Sequence, residues 1–371
     1  MNIYLNIKRL YSSSLGKSEI MSDLLFPFPQ VTIKRSFSCG ADQGTWHDSP
    51  FTEVSTIAPN IHPEVKEFCQ QTVEKDLTFP YAMSLLYNAI TDSIERSWDK
   101  DKFHVVFASS GYDSRIIAAC IKRLIQNNGA EWLGKGILFL SNRWESTNFE
   151  SIMQGQGWNK EQYFSYTQGE DGEHFRRALN VKTAWQTMNA PCPIPGNLWY
   201  YLIDIAKENG KIPSGIEMQG YCGYWANESW NSFTQAKNDW LYKISSQYGY
   251  TTMSALPRSI PLEYPMIDLE VIKILARIKN VSGDALRKEL SVYVSPETQH
   301  IERIPDSDCY HKLSPALVQD IDRIYNSMWY AKNVKSWILP NHSGYSDEWA
   351  RFNLASLCEH LLEQGIKIRV V

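Results

Sequence analysis

The sequence predicts an α/β fold: a parallel sheet with helices on both faces, a small β-rich or irregular N-terminal module before it and a helical C-terminal part after it. Two observations carry this expectation. Phe103-His104-Val105-Val106-Phe107-Ala108 and Gly136-Ile137-Leu138-Phe139-Leu140 are short apolar, β-prone runs that suit strands buried on both faces. A helical pattern separates them, and strand, helix and strand in that order form a βαβ unit with parallel strands and a right-handed crossover. The expected organisation is residues 1–76 as the N-terminal module, 77–310 as the α/β domain and 311–371 as a helical extension.

In chain order, residues 1 to about 75 lack long helical periodicity and contain the β-prone runs Val31-Thr32-Ile33 and Phe51-Thr52-Glu53-Val54. From Pro80, the residues Ala82, Leu85, Leu86, Ala89 and Ile90 recur at helical spacing, predicting a helix to about Ser97 that ends at Asp99-Lys100-Asp101-Lys102. After the first strand, a helix beginning near Ser114 carries Ile117, Cys120, Ile121 and Leu124 on one face. Tyr163-Phe164-Ser165-Tyr166 predicts a third strand. Trp199, Leu202, Ile203 and Ala206 predict a helix that stops before Gly210, and the segment from Lys211 to Met218 is expected to return to the sheet. Past residue 265, helical stripes appear at Ile267, Val271, Ile274, Leu275 and Ile278, at Leu317, Ile321, Ile324 and Met328, and at Leu354, Cys358 and Leu361.

Bulk properties exclude some functions. A formal charge of -4 supplies no general attraction for nucleic acid or an anionic membrane, a local basic patch aside. No run approaches the roughly 18 apolar residues of a spanning helix, and the N-terminal apolar stretch is too short for a signal-peptide core, so a cytoplasmic protein with no membrane partner is expected. The 7 cysteines are scattered without C-x-x-C pairs, which predicts free buried thiols rather than a metal site. Cys39, whose nearest histidine is His47, reads as a packed thiol rather than a nucleophile.

The segment after the first strand, Ala108-Ser109-Ser110-Gly111-Tyr112-Asp113-Ser114, lies where parallel sheets collect ligands, at a strand's carboxyl end and a helix's amino end. Small residues let a polyphosphate approach the backbone, and Asp113 offers a hard oxygen for Mg²⁺. The same residues also suit a turn that merely caps a helix. The Gly-Lys-Ser ending of a Walker loop and the G-x-S-x-G elbow of serine hydrolases are both absent.

The string Phe107-Ala108-Ser109-Ser110-Gly111-Tyr112-Asp113-Ser114-Arg115 resembles the S-G-G-x-D-S pyrophosphate loop of the ATP-pyrophosphatases, in particular the synthetase domain of asparagine synthetase and its relative β-lactam synthetase. Ser110 stands where that family has its first glycine. Residues 129–140 resemble its second, adenine-lining strand, Asn189-Ala190-Pro191 and the segment from Trp199 to Gly215 its next helix, Tyr264-Pro265-Met266-Ile267-Asp268 its P-[FL]-[LM]-D stretch, and Leu286-Arg287 the end of its K-x-x-L-R motif, over roughly residues 77–305. The resemblance implies an adenine nucleotide alpha hydrolase-like fold without the N-terminal glutaminase, since Asn2 rather than cysteine follows Met1. It departs where the second loop, S-G-E-G-x-D-E in the family, is matched to residues 214–224, which lack aspartate. Glu217 is then the nearest substitute carboxylate and Glu228 a further one. The family's lysine falls on Gly283, leaving Lys279, Arg287 or Lys288 to supply its charge.

By that resemblance, ATP is held by residues 108–114 with Leu140 and Ser141, and Mg²⁺ by Asp113 and Glu217. Asp113, Arg287 and Lys288 are the catalytic candidates. Arg115, Glu217, Gln219, Tyr221 and Asp268 are substrate contacts, although Asp268 also suits a helix cap and Arg115 a solvated surface position. Tyr221, Tyr224, Trp225 and Trp230 suit either an aromatic wall or ordinary core. The expected function is an ATP-dependent, AMP-forming amide ligase acting on a small carboxylate with ammonia or an amine. Two alternatives stay open: an ATP-pyrophosphatase that modifies a nucleobase or nucleic acid, and a catalytically degenerate nucleotide-binding regulator.

Overall fold

The two apolar runs form the middle of a five-stranded, all-parallel sheet. A computed structural model of the chain describes residues 10–18, 21–35, 49–57, 63–141, 146–166, 196–223, 260–279, 283–303, 315–334 and 345–371. Its strands are β1 Leu10–Ser13, β2 Gly16–Ser18, β3 Gln30–Ile33, β4 Ser55–Ile57, β5 Phe103–Phe107, β6 Ile137–Ser141, β7 Tyr163–Ser165, β8 Met218–Cys222, β9 Leu262–Glu263 and β10 Lys367–Val370. Its α-helices are α1 Met21–Leu25, α2 Pro63–Gln70, α3 Phe79–Ser97, α4 Tyr112–Asn128, α5 Ser146–Gly155, α6 Gly196–Glu208, α7 Leu269–Ala276, α8 Gly283–Val294, α9 Pro315–Ser327, α10 Trp329–Asn333 and α11 Tyr345–Glu363.

The sheet order is β7-β6-β5-β8-β9. β5 and β6 are buried along their whole length, and strand alternation sends their side chains to two cores. Phe103, Val105, Phe107, Leu138 and Leu140 pack with Leu202, Ile203 and Ala206 of α6. Val106, Ile137 and Phe139 pack on the other face with Leu86 and Ile90 of α3, Ile117 and Ile121 of α4, Phe149 of α5, Val271 of α7 and Leu290 of α8. Helices therefore cover both faces, as parallel strands require. The helix expected from Pro80 to Ser97 is α3, with Pro80 in its first turn, where a missing N–H costs nothing.

One expected strand is corrected. The chain returns to the sheet at β8, Met218–Cys222, and not over Lys211 to Met218. Pro213 and the positive φ of Gly215 make the earlier segment a turn. Met-Gln-Gly-Tyr-Cys lacks a conspicuous apolar run, but all five residues are buried because polar Gln219 finds partners. Its Nε2 donates to Ser97 O at 2.8 Å and its Oε1 accepts from Asp99 N–H at 3.3 Å.

That amino edge of the sheet is closed by aromatic stacking. The Trp98 ring lies 3.5 Å from His104 and 4.5 Å from Trp132. His104 Nε2 is 2.9 Å from Asp99 O, and a carbonyl only accepts, so this nitrogen carries a proton and donates it. Burial holds the imidazole pKa down at about 4.

The two ends of the chain share a core. β10 pairs in parallel with β3, and Leu25, Val31, Ile33, Phe51 and Val54 pack with Tyr325, Tyr330, Phe352, Leu357 and Leu361. Among the described residues Cys120, Cys222 and Cys358 are buried free thiols, and burial pushes Cys120 and Cys222 up to about 12. Among the described residues no helix is long and apolar enough to cross a membrane.

Two expectations follow. Because His104 titrates at about 4 in the fold against 6.5 when exposed, the unfolded chain binds the extra proton between those values. Stability is then fully present above pH 6.5 and falls as pH drops toward 4, by roughly 3 kcal/mol at most. Urea unfolding of wild type and His104→Gln across this range tests it, the variant showing the flatter profile. Removing residues 367–371 should make the segments 21–35 and 49–57 protease-sensitive while α3, β5, α4 and β6 stay resistant. Mass spectrometry of limited digests reads this out, and continued protection of 21–35 and 49–57 would contradict the shared core.

Candidate functional site

The chain leaves β5 toward β6 on one side and leaves β8 toward β9 on the other, which opens a crevice between the carboxyl ends of β5 and β8. The loop of residues 108–111 occupies this position. Ala108 N–H donates to Leu140 O at 2.9 Å, so the sheet runs on to the loop's first residue and places Leu140 and Ser141 beside it. Ser109 N–H then donates to Ser114 Oγ at 2.8 Å, and Gly111 N–H donates to Ser109 Oγ at 3.0 Å. The Ser109 and Ser114 hydroxyls are 3.2 Å apart. These bonds turn the loop back on the first turn of α4, whose amino end has no side-chain cap at Gly111. Ser110 is fully buried.

Asp113, in that first turn, meets Arg287 from α8: Asp113 Oδ2 lies 3.3 Å from Arg287 Nη1, with the carboxylate side chain 19% and the guanidinium side chain 9% exposed. Helix packing thus unites two residues 174 positions apart that were singled out separately. Lys288, the next residue on α8, is exposed; consecutive helical residues point about 100° apart, so it does not share this face. Gly223, which follows β8, completes the crevice and escaped sequence reasoning. A Cβ there would lie 2.9 Å from the carbonyl carbon of Asp113 and 3.0 Å from its Cβ, so only glycine permits this approach without a shift.

The other expected residues are placed differently. Glu217 is exposed and precedes β8, with its carbonyl accepting from Phe103 N–H at 2.8 Å. It therefore lies at the amino edge, a strand length of roughly 16 Å from the loop, and does not join Asp113 as a metal ligand. Gln219 ties β8 to the end of α3. Tyr221 is fully buried, its hydroxyl 3.2 Å from Ser97 Oγ and its ring stacked on Trp98, so it belongs to the core. Asp268 caps α7, accepting from Glu270 N–H at 3.0 Å, and pairs with Arg96 at 3.1 Å. The correction for Glu217, Gln219 and Tyr221 has one cause: the strand begins later than expected, which carries their segment to the other end of the sheet or into it, whereas Asp268 takes the helix-cap role that its sequence position also suited.

Arg115 is neither a substrate contact nor a surface residue. It is 1% exposed, and its guanidinium donates to Ser110 O at 3.2 and 3.0 Å, to Thr298 O at 3.0 Å and to Ile301 O at 2.7 Å. Beside it Gln156 Nε2 donates to Arg115 O and to Ser295 Oγ, both at 3.0 Å. At the carboxyl ends of β6 and β7, Ser141 Oγ is buried and Ser165 Oγ donates to Glu150 at 2.5 Å. Cys39, His47, Tyr224, Trp225, Glu228 and Trp230 lie outside the described residues.

No protein-family model matches the chain, and no curated protein matches it. The site is therefore characterised by its own chemistry: a backbone loop, an open helix amino end, one carboxylate and two guanidinium groups. The fixed charge of the described side chains is positive, and the loop suits an anionic ligand.

Gly223→Ala should lower stability by about 1–3 kcal/mol, because the added methyl presses on the Asp113 backbone, whereas Glu217→Ala should change it by less than about 0.5 kcal/mol. Urea denaturation of both variants decides, and equal effects would mean that β8 does not approach the loop as described.

Proposed function

We propose that this chain is an ATP-dependent, AMP-forming amide ligase that activates a carboxylate and transfers it to ammonia or an amine. The observation that carries the reading is the loop of residues 108–111 at the β5–β8 crevice, delivering the open amino end of α4 with Asp113 held against Arg287. Backbone N–H groups at such a terminus, reinforced by the helix dipole, bind phosphate oxygens. The resemblance of the loop string to the ATP-pyrophosphatase signature supplies the reaction class.

In that reaction a carboxylate oxygen attacks the α-phosphorus of ATP, the bond to the bridging oxygen breaks and pyrophosphate leaves. The amine then attacks the acyl carbon, AMP leaves, and the amine's proton passes to solvent. In this reading Arg287 would balance the negative charge that develops on the phosphoryl oxygens, acting from the position that its pairing with Asp113 fixes. Mg²⁺ would neutralise phosphate charge when bound. Among the described residues no group of three or more His, Cys, Asp or Glu is assembled to hold a metal. In this reading the ion would be held by Asp113 and by the phosphates themselves, a common arrangement for Mg²⁺.

A second reading, a nucleotide-binding regulator without catalysis, draws on specific observations: Glu217 lies at the far edge of the sheet, Gly283 stands at the lysine position, and Arg287 already occupies the Asp113 carboxylate.

Pyrophosphate release from Mg-ATP across a panel of carboxylates and amines separates the two. A ligase shows substrate-dependent release that falls at least about 100-fold in Asp113→Ala, the scale of losing an electrostatic contact at a reacting phosphate. No release from any pair, with ATP still raising the melting temperature of the wild type alone, would favour the regulator.

A further inference from the structure

Buried charges in proteins are normally paired, because an uncompensated ion in a low-dielectric interior is costly. Arg115 departs from this rule. It is 1% exposed, and among the described residues no carboxylate pairs with it; its donors go to the carbonyls of Ser110, Thr298 and Ile301. The Tyr112 ring, 5.6 Å away, adds only a weak cation–π contact. Burial lowers its pKa, yet a guanidinium stays protonated at any physiological pH. A full positive charge is therefore fixed directly behind the loop, one peptide away from its open side.

We propose that Arg115 is a positioning residue for anion binding at this loop: its guanidinium draws the Ser110 carbonyl inward, away from the ligand side, and its uncompensated charge is balanced when a polyphosphate binds in front. This rests on the reading of the loop as a phosphate site. The contacts to Thr298 and Ile301 tie the loop to the turn that follows α8, while Arg287 on α8 reaches back to Asp113, so two arginines lock the start of α4 to α8 and to the turn after it. Arg115 touches no ligand directly and acts through the Ser110 peptide.

The test is titration of the full chain with inorganic pyrophosphate and with ATP, for wild type, Arg115→Lys and Arg115→Gln. At about 7 Å and an effective dielectric constant of about 20, removing one charge weakens anion binding on the order of 10- to 100-fold. Arg115→Gln should show that loss for both ligands, and Arg115→Lys, which keeps the charge, should stay within about 3-fold of wild type although both variants melt lower. If Arg115→Gln does not fold, the charge-retaining Arg115→Lys decides by itself: a loss well beyond about 3-fold in that folded variant overturns the proposal. Wild-type affinity in a folded Arg115→Gln, or equal losses in the Lys and Gln variants, would overturn the proposal and leave the phosphate reading standing. Failure of the wild type to bind either ligand would overturn both.

Discussion

The structure depends on the complete burial of β5. This strand is hydrogen-bonded to β6 on one side and β8 on the other and packed by helices on both faces, so its carboxyl end cannot shift independently. Whatever follows it must turn at once into a helix, because the helix α4 has to fold back over the sheet. Four small residues make that turn, and the geometry leaves them little choice: Ala108 is still in sheet register, Ser109 and Ser114 exchange bonds, and Gly111 opens α4 without a cap. A site built this way is rigid because its supports are core, not loop.

The sheet's two ends are chemically segregated. At the amino end, Trp98, Trp132, His104 and Tyr221 stack on one another and Gln219 bonds to the end of α3, although Trp98 Nε1 and His104 Nδ1 find no hydrogen-bond partner among the described residues. At the carboxyl end the small loop, the acidic and basic side chains and Gly223 gather in one crevice. Both ends are polar, but only the carboxyl end sets an acidic and a basic side chain beside the uncapped amino end of α4. That difference, rather than the number of polar residues, distinguishes a candidate site from a stacked aromatic core.

The ends of the chain show the same logic at larger scale. Short segments near each terminus cannot bury enough apolar surface separately. They combine, β10 beside β3 and α11 over both, into a second core distinct from that of the parallel sheet. Local periodicity marks the helices of this unit but contains no signal for the pairing, because parallel partners need no turn between them.

The sequence by itself determined the elements with strong local periodicity: β5, β6 and β7, the helices α3 and α4, and hence a parallel α/β sheet with a small-residue loop at the end of its central strand. Those signals are local, arising from side-chain alternation and helical spacing. Only the tertiary structure decided where β8 begins, since a strand containing Gln219 is buried through partners supplied by the end of α3. That one displacement sent Glu217 to the wrong edge and Tyr221 into the core. The tertiary structure alone also decided the roles of the two arginines. On a helix, residue type states that Arg115 and Arg287 are cationic; what each charge faces depends on the packing of α4 against α8, which places one guanidinium on backbone carbonyls and the other on Asp113.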